Sequence, residues 1–279
     1  MPSIQGLRLM GRSIQIPIIK PMLAVKSEPF DSPEFLFEIK WDGYRALAYL
    51  DSGSTELRSR NQLDITGIFP ELGRLHLSVE RLPALLDGEV VVFSGDMPSF
   101  QCLQSRGRLT NPLKVRQASL KMPALYLAFD ILYTSGRPVL DEPLKYRKEI
   151  LSGSVKENNS LVVADFIQGS GIVFAGAARD RGLEGIMAKS LNSPYLPGKR
   201  SPYWKKIRHT KEADLIICGY RAGEGGRKLG ALLLCGLEGG QLVYSGKVGT
   251  GFSRETEEDL LRRMQPLRTE GPPVPVPAR

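Results

Sequence analysis

No two cysteines in this chain have CxxC spacing, and no apolar run is long enough to cross a bilayer. The three cysteines, Cys102, Cys218 and Cys235, are scattered through apolar segments. An odd, dispersed set argues against a structural zinc site, and for reduced, buried thiols in a cytoplasmic protein. The longest apolar stretches, such as Ala231-Leu232-Leu233-Leu234-Cys235, fall far short of the roughly 20 residues a spanning helix needs. Arg8, Arg12 and Lys20 break up the N-terminal residues, so no signal peptide is expected and no membrane partner is implied. No internal repeat is present.

With 279 residues the chain can bury a sizeable core, and two domains are expected. Its 42% hydrophobic and 24% charged residues are ordinary for a globular protein. The formal charge of +8 is not neutral, and it favours a polyanionic partner, with nucleic acid the first candidate.

The most informative stretch is Glu38-Ile39-Lys40-Trp41-Asp42-Gly43-Tyr44-Arg45. Its alternation predicts a β-strand with Phe37, Ile39 and Trp41 on one face and Glu38, Lys40 and Asp42 on the other. Gly43 then permits a sharp turn or a close approach. A lysine aimed into a cleft between carboxylates suits covalent catalysis; an edge strand with a solvated charged face fits the same pattern. Four other segments also place charge within otherwise apolar strands: Arg60, Asp87 with Glu89, Glu184 with Lys189, and Lys206 with Arg208. Burying such groups is costly unless they pair or meet a ligand. Together they point to one cleft for a charged ligand, with cations for phosphates and carboxylates for a hard divalent metal. Scattered surface salt bridges are the alternative.

Along the chain, residues 46–50 and 55–60 predict a hairpin across Asp51-Ser52-Gly53-Ser54, and residues 64–77 a helix interrupted near Pro70. A buried strand is expected over 85–93. A short helix over 98–107 would put Phe100 and Leu103 inward and Arg106 and Arg108 outward. A strand at 125–133, helices at 143–151 and 171–181, and strands at 185–189 and 203–208 follow. A composition change sets a boundary near His209, so residues 1–20 read as a mixed prelude, 21–208 as the main domain and 209–270 as a smaller one. The smaller one predicts strands at 213–220, 229–237 and 241–248 and a helix capped by Ser253. The Pro-rich tail 271–279 is expected to be extended or disordered.

Lys40-Trp41-Asp42-Gly43-Tyr44-Arg45 is followed in order by Ser59-Arg60-Asn61, Leu86-Asp87-Gly88-Glu89, Phe129-Asp130-Ile131-Leu132, Glu184-Gly185-Ile186-Met187-Ala188-Lys189 and Trp204-Lys205-Lys206-Ile207-Arg208. This series, from about Lys20 to Leu267, resembles the ATP-dependent DNA ligases among the covalent nucleotidyltransferases, most closely the ligase module of bacterial non-homologous end-joining ligases. The resemblance implies an α+β fold: an adenylation domain of mixed, mainly antiparallel sheets with helices, then a small OB-fold β-barrel. It implies ATP and Mg2+ or Mn2+ as cofactors, and nicked or broken duplex DNA as substrate. A Ku-type end-binding protein and polymerase or nuclease modules would be partners, and the nucleoid in the cytoplasm the location.

By the same resemblance Lys40 is the nucleophile that becomes lysyl-AMP, its pKa lowered by burial and by Arg45, Lys206 and Arg208. Glu38 would lie near the adenine, partly through its backbone; Phe129 would stack on one face of the base and Met187 cover the other. Core packing is the alternative for both. Arg45 and Arg60 would hold sugar and phosphate, and Glu89 the ribose. Glu184, then Glu89 and Asp42, would bind metal. Lys189, Lys206 and Arg208 would neutralise phosphate, Arg208 standing where the family has lysine. Arg106, Arg108, Lys114 and Arg116 are candidates for contacts to the DNA backbone. An OB-fold needs five strands, and three plus a helix are read here, with no C-terminal basic motif. The barrel is thus expected to be incomplete, with weakened loading from ATP and retained sealing of adenylylated nicks. A capping guanylyltransferase or RNA ligase shares the lysine chemistry. An NAD-dependent ligase is disfavoured by the few residues before Lys40. A catalytically silent DNA-binding module is the reading from a different class.

Overall fold

A computed structural model describes residues 16–209, 213–223, 225 and 227–276; the expected prelude falls outside them up to residue 15, and the tail from residue 277. The chain divides into two units, Met1–His209 and Thr210–Arg279. The first begins with β1 (Leu23–Lys26), β2 (Ser32–Ile39), β3 (Tyr44–Asp51) and β4 (Ser54–Ser59). β3 and β4 form the expected hairpin, pairing Asp51 with Ser54. Then come β5 (Ala84–Ser94), β6 (Met97–Pro98), α1 (Phe100–Gly107), α2 (Pro112–Lys121), β7 (Ala124–Thr134) and β8 (Arg137–Pro138). The unit closes with α3 (Leu144–Ser154), β9 (Leu161–Val163), β10 (Phe166–Gly169), α4 (Gly171–Asp180), β11 (Gly185–Ser190) and β12 (Arg200–Arg208).

These strands make two mixed sheets. One has the order β1-β12-β11-β2-β10; the other has β4-β3-β5-β7-β8, with β6 on β5 and β9 on β7. A buried cluster of Met22, Leu47, Leu85, Leu132, Tyr195 and Trp204 draws on both, so the sheets pack face to face across it. The outer side of the first sheet buries Phe37, Ile186, Ala188 and Ile207 against Ala175 and Ala178 of α4. Because strand side chains alternate, the residues between these, Glu38, Met187, Lys206 and Arg208, point inward. Trp41 departs from the expected pattern: β2 stops at Ile39, and Trp41 turns to an edge contact with Phe93, 6.1 Å between centroids.

The third core lies beyond the second sheet, and there three expectations fail. Residues 64–77 form no α-helix but three short 3-10 turns at Thr66–Ile68, Pro70–Leu72 and Leu75–Ser78. Gly67, Pro70 and Gly73 interrupt any longer helix, and the turns suffice to bury Phe69, Leu72 and Leu75. Arg106, expected outward, is 1% exposed. It pairs with Glu71, donates to the Met122 carbonyl at 2.9 Å and lies 5.0 Å from the Phe69 ring centroid. Phe100, expected inward, is 36% exposed. α2 was not anticipated, although Asn111, whose side chain accepts from the amides of Leu113 and Lys114, and Pro112 mark its start.

The second unit holds β13 (Ile216–Ala222), β14 (Leu229–Glu238) and β15 (Gln241–Val248) as an antiparallel sheet, then α5 (Arg254–Met264). Ser253 caps α5 as predicted, accepting from the Thr256 amide at 3.1 Å. Of the Pro-rich tail, residues 271–276 are irregular and Val274 is buried.

The first unit is held at its centre by a pair with both members fully buried: Arg147 of α3 donates to Asp130 of β7 at 2.8 and 2.9 Å. Arg147→Met would leave a carboxylate unpaired out of water, so the expected loss is about 3–5 kcal/mol. Urea denaturation measures it; a loss below about 1 kcal/mol would remove the pair from the account of stability.

Candidate functional site

The cleft between the two sheets is where the inward side chains meet. The first sheet supplies Glu38 from β2, Met187 and Lys189 from β11, and Trp204, Lys206 and Arg208 from β12. The second supplies Arg45 from β3, Glu89 from β5 and Phe129 from β7, with Arg60 following β4. Lys40 lines the cleft one residue beyond the end of β2, its amide donating to the Gly185 carbonyl at 2.9 Å. Gly185 has φ +150, and a Cβ there would lie 2.1 Å from the Ile207 carbonyl oxygen, so only glycine lets β11 start so close to β12. Gly43 meets a similar demand: its Cβ would lie 2.6 Å from Glu89 Cγ. The close approach is to the strand carrying Glu89.

At the centre, the Glu184 carboxylate joins two cations. It forms ion pairs with Lys40 Nζ and with Arg208 Nε, the latter at 3.0 Å. Asp42 is pushed above the usual carboxylate range, first by burial and then by Glu184, against the pull of Lys40 and Arg208. Glu89 is pushed up to about 8, chiefly by burial, with Arg45 and Lys40 opposing. Lys206 is pushed down, first by burial and then by Arg208, Arg200, Lys40 and Arg60. Five cations therefore converge on one cleft, and an anionic ligand would relieve their repulsion.

Other expected residues are already engaged by the protein. Arg45 donates to Asp87 at 3.0 and 2.6 Å and to the Met22 carbonyl at 2.6 Å, and Tyr195 donates to Asp87 at 2.7 Å. Its guanidinium thus braces the cleft wall. Glu38 pairs with Lys189 at 2.6 Å and with Lys148. The Lys189 ammonium lies 4.0 Å from the Phe129 ring centroid and 4.3 Å from that of Trp204, and burial pushes its pKa down to about 8. Of the candidates for DNA contacts, Arg108, Lys114 and Arg116 are exposed, and Arg106 is not.

Sequence reasoning missed Arg200, Trp41, Trp204 and Lys148. Arg200 shares the parity of Trp204, Lys206 and Arg208, and it goes unseen because the strand is read as starting at Tyr203 when it starts at Arg200. Lys148 left no signal, since a lysine on a basic helix reads as solvated.

Two family models match the chain: the ATP dependent DNA ligase domain over residues 21–208, and the ATP dependent DNA ligase C terminal region over residues 225–279. The chain is similar to the multifunctional non-homologous end joining protein LigD of Mycobacterium bovis, 37% identical over 268 residues that make up 94% of this chain and 34% of that protein. It thus spans about a third of the length of that relative. It is also similar to DNA ligase C1 of Mycolicibacterium smegmatis, 34% identical, covering 90% of this chain and 74% of that one. Among solved structures, a mycobacterial DNA ligase D complexed with ATP and MES superposes with a TM-score of 0.61 at 34% identity, covering 93% of this chain and 82% of that one. The first match lies within the first unit and the second within the second. On these matches, this chain is a member of the ATP-dependent DNA ligase family.

Proposed function

We propose that this chain seals nicks in duplex DNA with ATP, using Lys40 as the nucleophile. The observation that carries the reading is Lys40 in the lining of a cleft with Glu89, Arg60, Lys206 and Arg208, its ammonium paired with Glu184 and its charge acting on Asp42. The Lys40 amine attacks the α-phosphorus of ATP, the bond to the bridging oxygen breaks, and pyrophosphate leaves. Glu184, already paired with Nζ, is the nearest acceptor for the ammonium proton. Lys206 and Arg208 neutralise the phosphate, and Arg60 and Arg200 the outer phosphates. AMP then passes to the 5′-phosphate of the nick, and the 3′-hydroxyl displaces it. Phe129 and Met187 flank the base, Glu38 lies beside it, and Glu89 lies at the ribose.

Among the described residues no group of three or more His, Cys, Asp and Glu side chains is arranged to hold a metal unaided. That suits Mg2+ or Mn2+, which binds through one or two carboxylates and the substrate phosphates. Burial raises the pKa of Glu89 and of Asp42, and a cation bound beside them would favour their ionised, hard-donor form. Glu184, with Glu89 or Asp42 behind it, would hold the ion together with the substrate phosphates, where the ion would supply charge neutralisation.

No acidic residue occurs between Ser99 and Lys121. Exposed Arg108, Lys114 and Arg116 there are suited to the DNA backbone. The similarity to LigD, a multifunctional non-homologous end joining protein, supports a role in repair by end joining. A Ku-type protein and polymerase or nuclease modules would be partners in that role, which would place the chain at the nucleoid.

Incubation with α-labelled ATP and Mg2+ should label the wild type, whereas Lys40→Ala should take no label and lose ATP-dependent ligation. The same variant should still seal a pre-adenylylated nick, because that step needs no lysine nucleophile. Label from GTP in place of ATP would favour a capping-type enzyme, and an unlabelled wild type would end the reading.

Glu89 supplies a pH test. Its carboxyl stays protonated up to about 8 in the fold, against 4.5 ordinarily. Between those values the folded chain binds a proton that the unfolded chain has lost, so this group makes stability fall as pH rises. Glu89→Gln should therefore raise Tm more at pH 8 than at pH 5, by about 2–4 °C for each kcal/mol, while labelling falls at least about tenfold. A Tm difference independent of pH would refute the raised pKa.

A further inference from the structure

Behind the cleft lies a buried cation with no part in the chemistry above. Lys148 of α3 is 5% exposed and pairs with one oxygen of Glu38, while Lys189 takes the other at 2.6 Å. Two ammonium groups thus share one carboxylate, itself 2% exposed. Glu38 and Lys189 line the cleft. Lys148 does not; it sits 5.4 Å from the Phe166 ring centroid.

Fastening α3 to β2 does not require this arrangement, because an apolar side chain of similar length does that without removing a charge from water. The second lysine has an electrostatic consequence instead. Lys189 lies over the Phe129 ring, so a base stacking on that face must displace its ammonium. With one lysine alone, that movement would leave Glu38 ionised, buried and unpaired, a costly state. With Lys148 in place the carboxylate stays compensated, and Lys189 is free to turn toward a phosphate. The charge of Lys148 also adds to the burial that pushes Lys189 down to about 8, which loosens its hold on its own proton.

We infer that Lys148 is a positioning residue for nucleotide binding: it holds Glu38 ionised and in place while Lys189 leaves Glu38 for the nucleotide. The inference rests on the nucleotide-cleft reading above. The role is one of binding rather than of chemistry, since Lys148 contacts neither Lys40 nor Glu184.

The only two tryptophans, Trp41 and Trp204, both line the cleft, so intrinsic fluorescence reads its occupancy. ATP with Mg2+ would be titrated onto a Lys40→Ala chain, which cannot turn over, carrying Lys148, Lys148→Met or Lys148→Arg at the second position. The expected result is a Kd about tenfold weaker for Lys148→Met and within about threefold of the parent for Lys148→Arg. With Lys40 restored, Lys148→Met should show the same rise in KM for labelling, with the saturated rate within about twofold of wild type. Lys148→Gln serves as the neutral variant if the Met chain does not fold. Equal Kd values across the series would overturn the inference, as would a lower saturated rate with KM unchanged, which marks a structural role. A labelled wild type beside a flat variant series defeats this inference alone. No fluorescence response in the chain that retains Lys148, with an unlabelled wild type, defeats the nucleotide reading and this inference with it.

Discussion

An ionised side chain taken out of water must find an opposite charge, and the first unit of this protein is assembled around that constraint. Asp87 is fully buried and takes Arg45 and Tyr195; Asp130 is fully buried and takes Arg147; Glu38 takes two lysines. Each pair joins elements distant in sequence. Arg45 with Asp87 ties β3 to β5, Tyr195 adds the loop before β12, and Arg147 ties α3 to β7. The strands that form the cleft wall are therefore tied together by ion pairs behind it.

Against these closed pairs, the groups around Lys40 are left incompletely matched. Glu184 serves Lys40 and Arg208 together, while Glu89 and Asp42 carry raised pKa values. Lys206 is pushed the other way by its cationic neighbours. Such imbalance is what a site for a phosphorylated ligand with a divalent ion requires, since the ligand and ion complete the neutralisation. Stability is given up where binding occurs.

Most of the cleft is legible in sequence because a strand has a period of two. Once Phe37, Ile186 and Ile207 are assigned to a core, their neighbours Glu38, Met187, Lys206 and Arg208 must share the opposite face. Helical and irregular segments were less readable. Residues 64–77 have apolar positions that suit a helix, yet Gly67, Pro70 and Gly73 make separate turns cheaper. Arg106 looked solvated because nothing local announces Glu71, 35 residues away, as its partner. Lys148 and Arg200 escaped notice for related reasons, a distant partner in one case and a strand longer than its pattern suggested in the other.

The amino-acid sequence by itself determined the longer strands that carry the site, the lysine and acid motifs on their inner faces, the capped helix at Ser253 and the family that these imply. Period and motif are local properties, carried by neighbouring residues. Only the tertiary structure decided which charges are matched and which are left wanting. Arg45 and Lys189 lie on strands and Arg106 and Arg147 on helices, and each is bound by a carboxylate from another element. Pairing across the fold is set by which elements pack together, and that depends on burial of the whole core rather than on any segment alone.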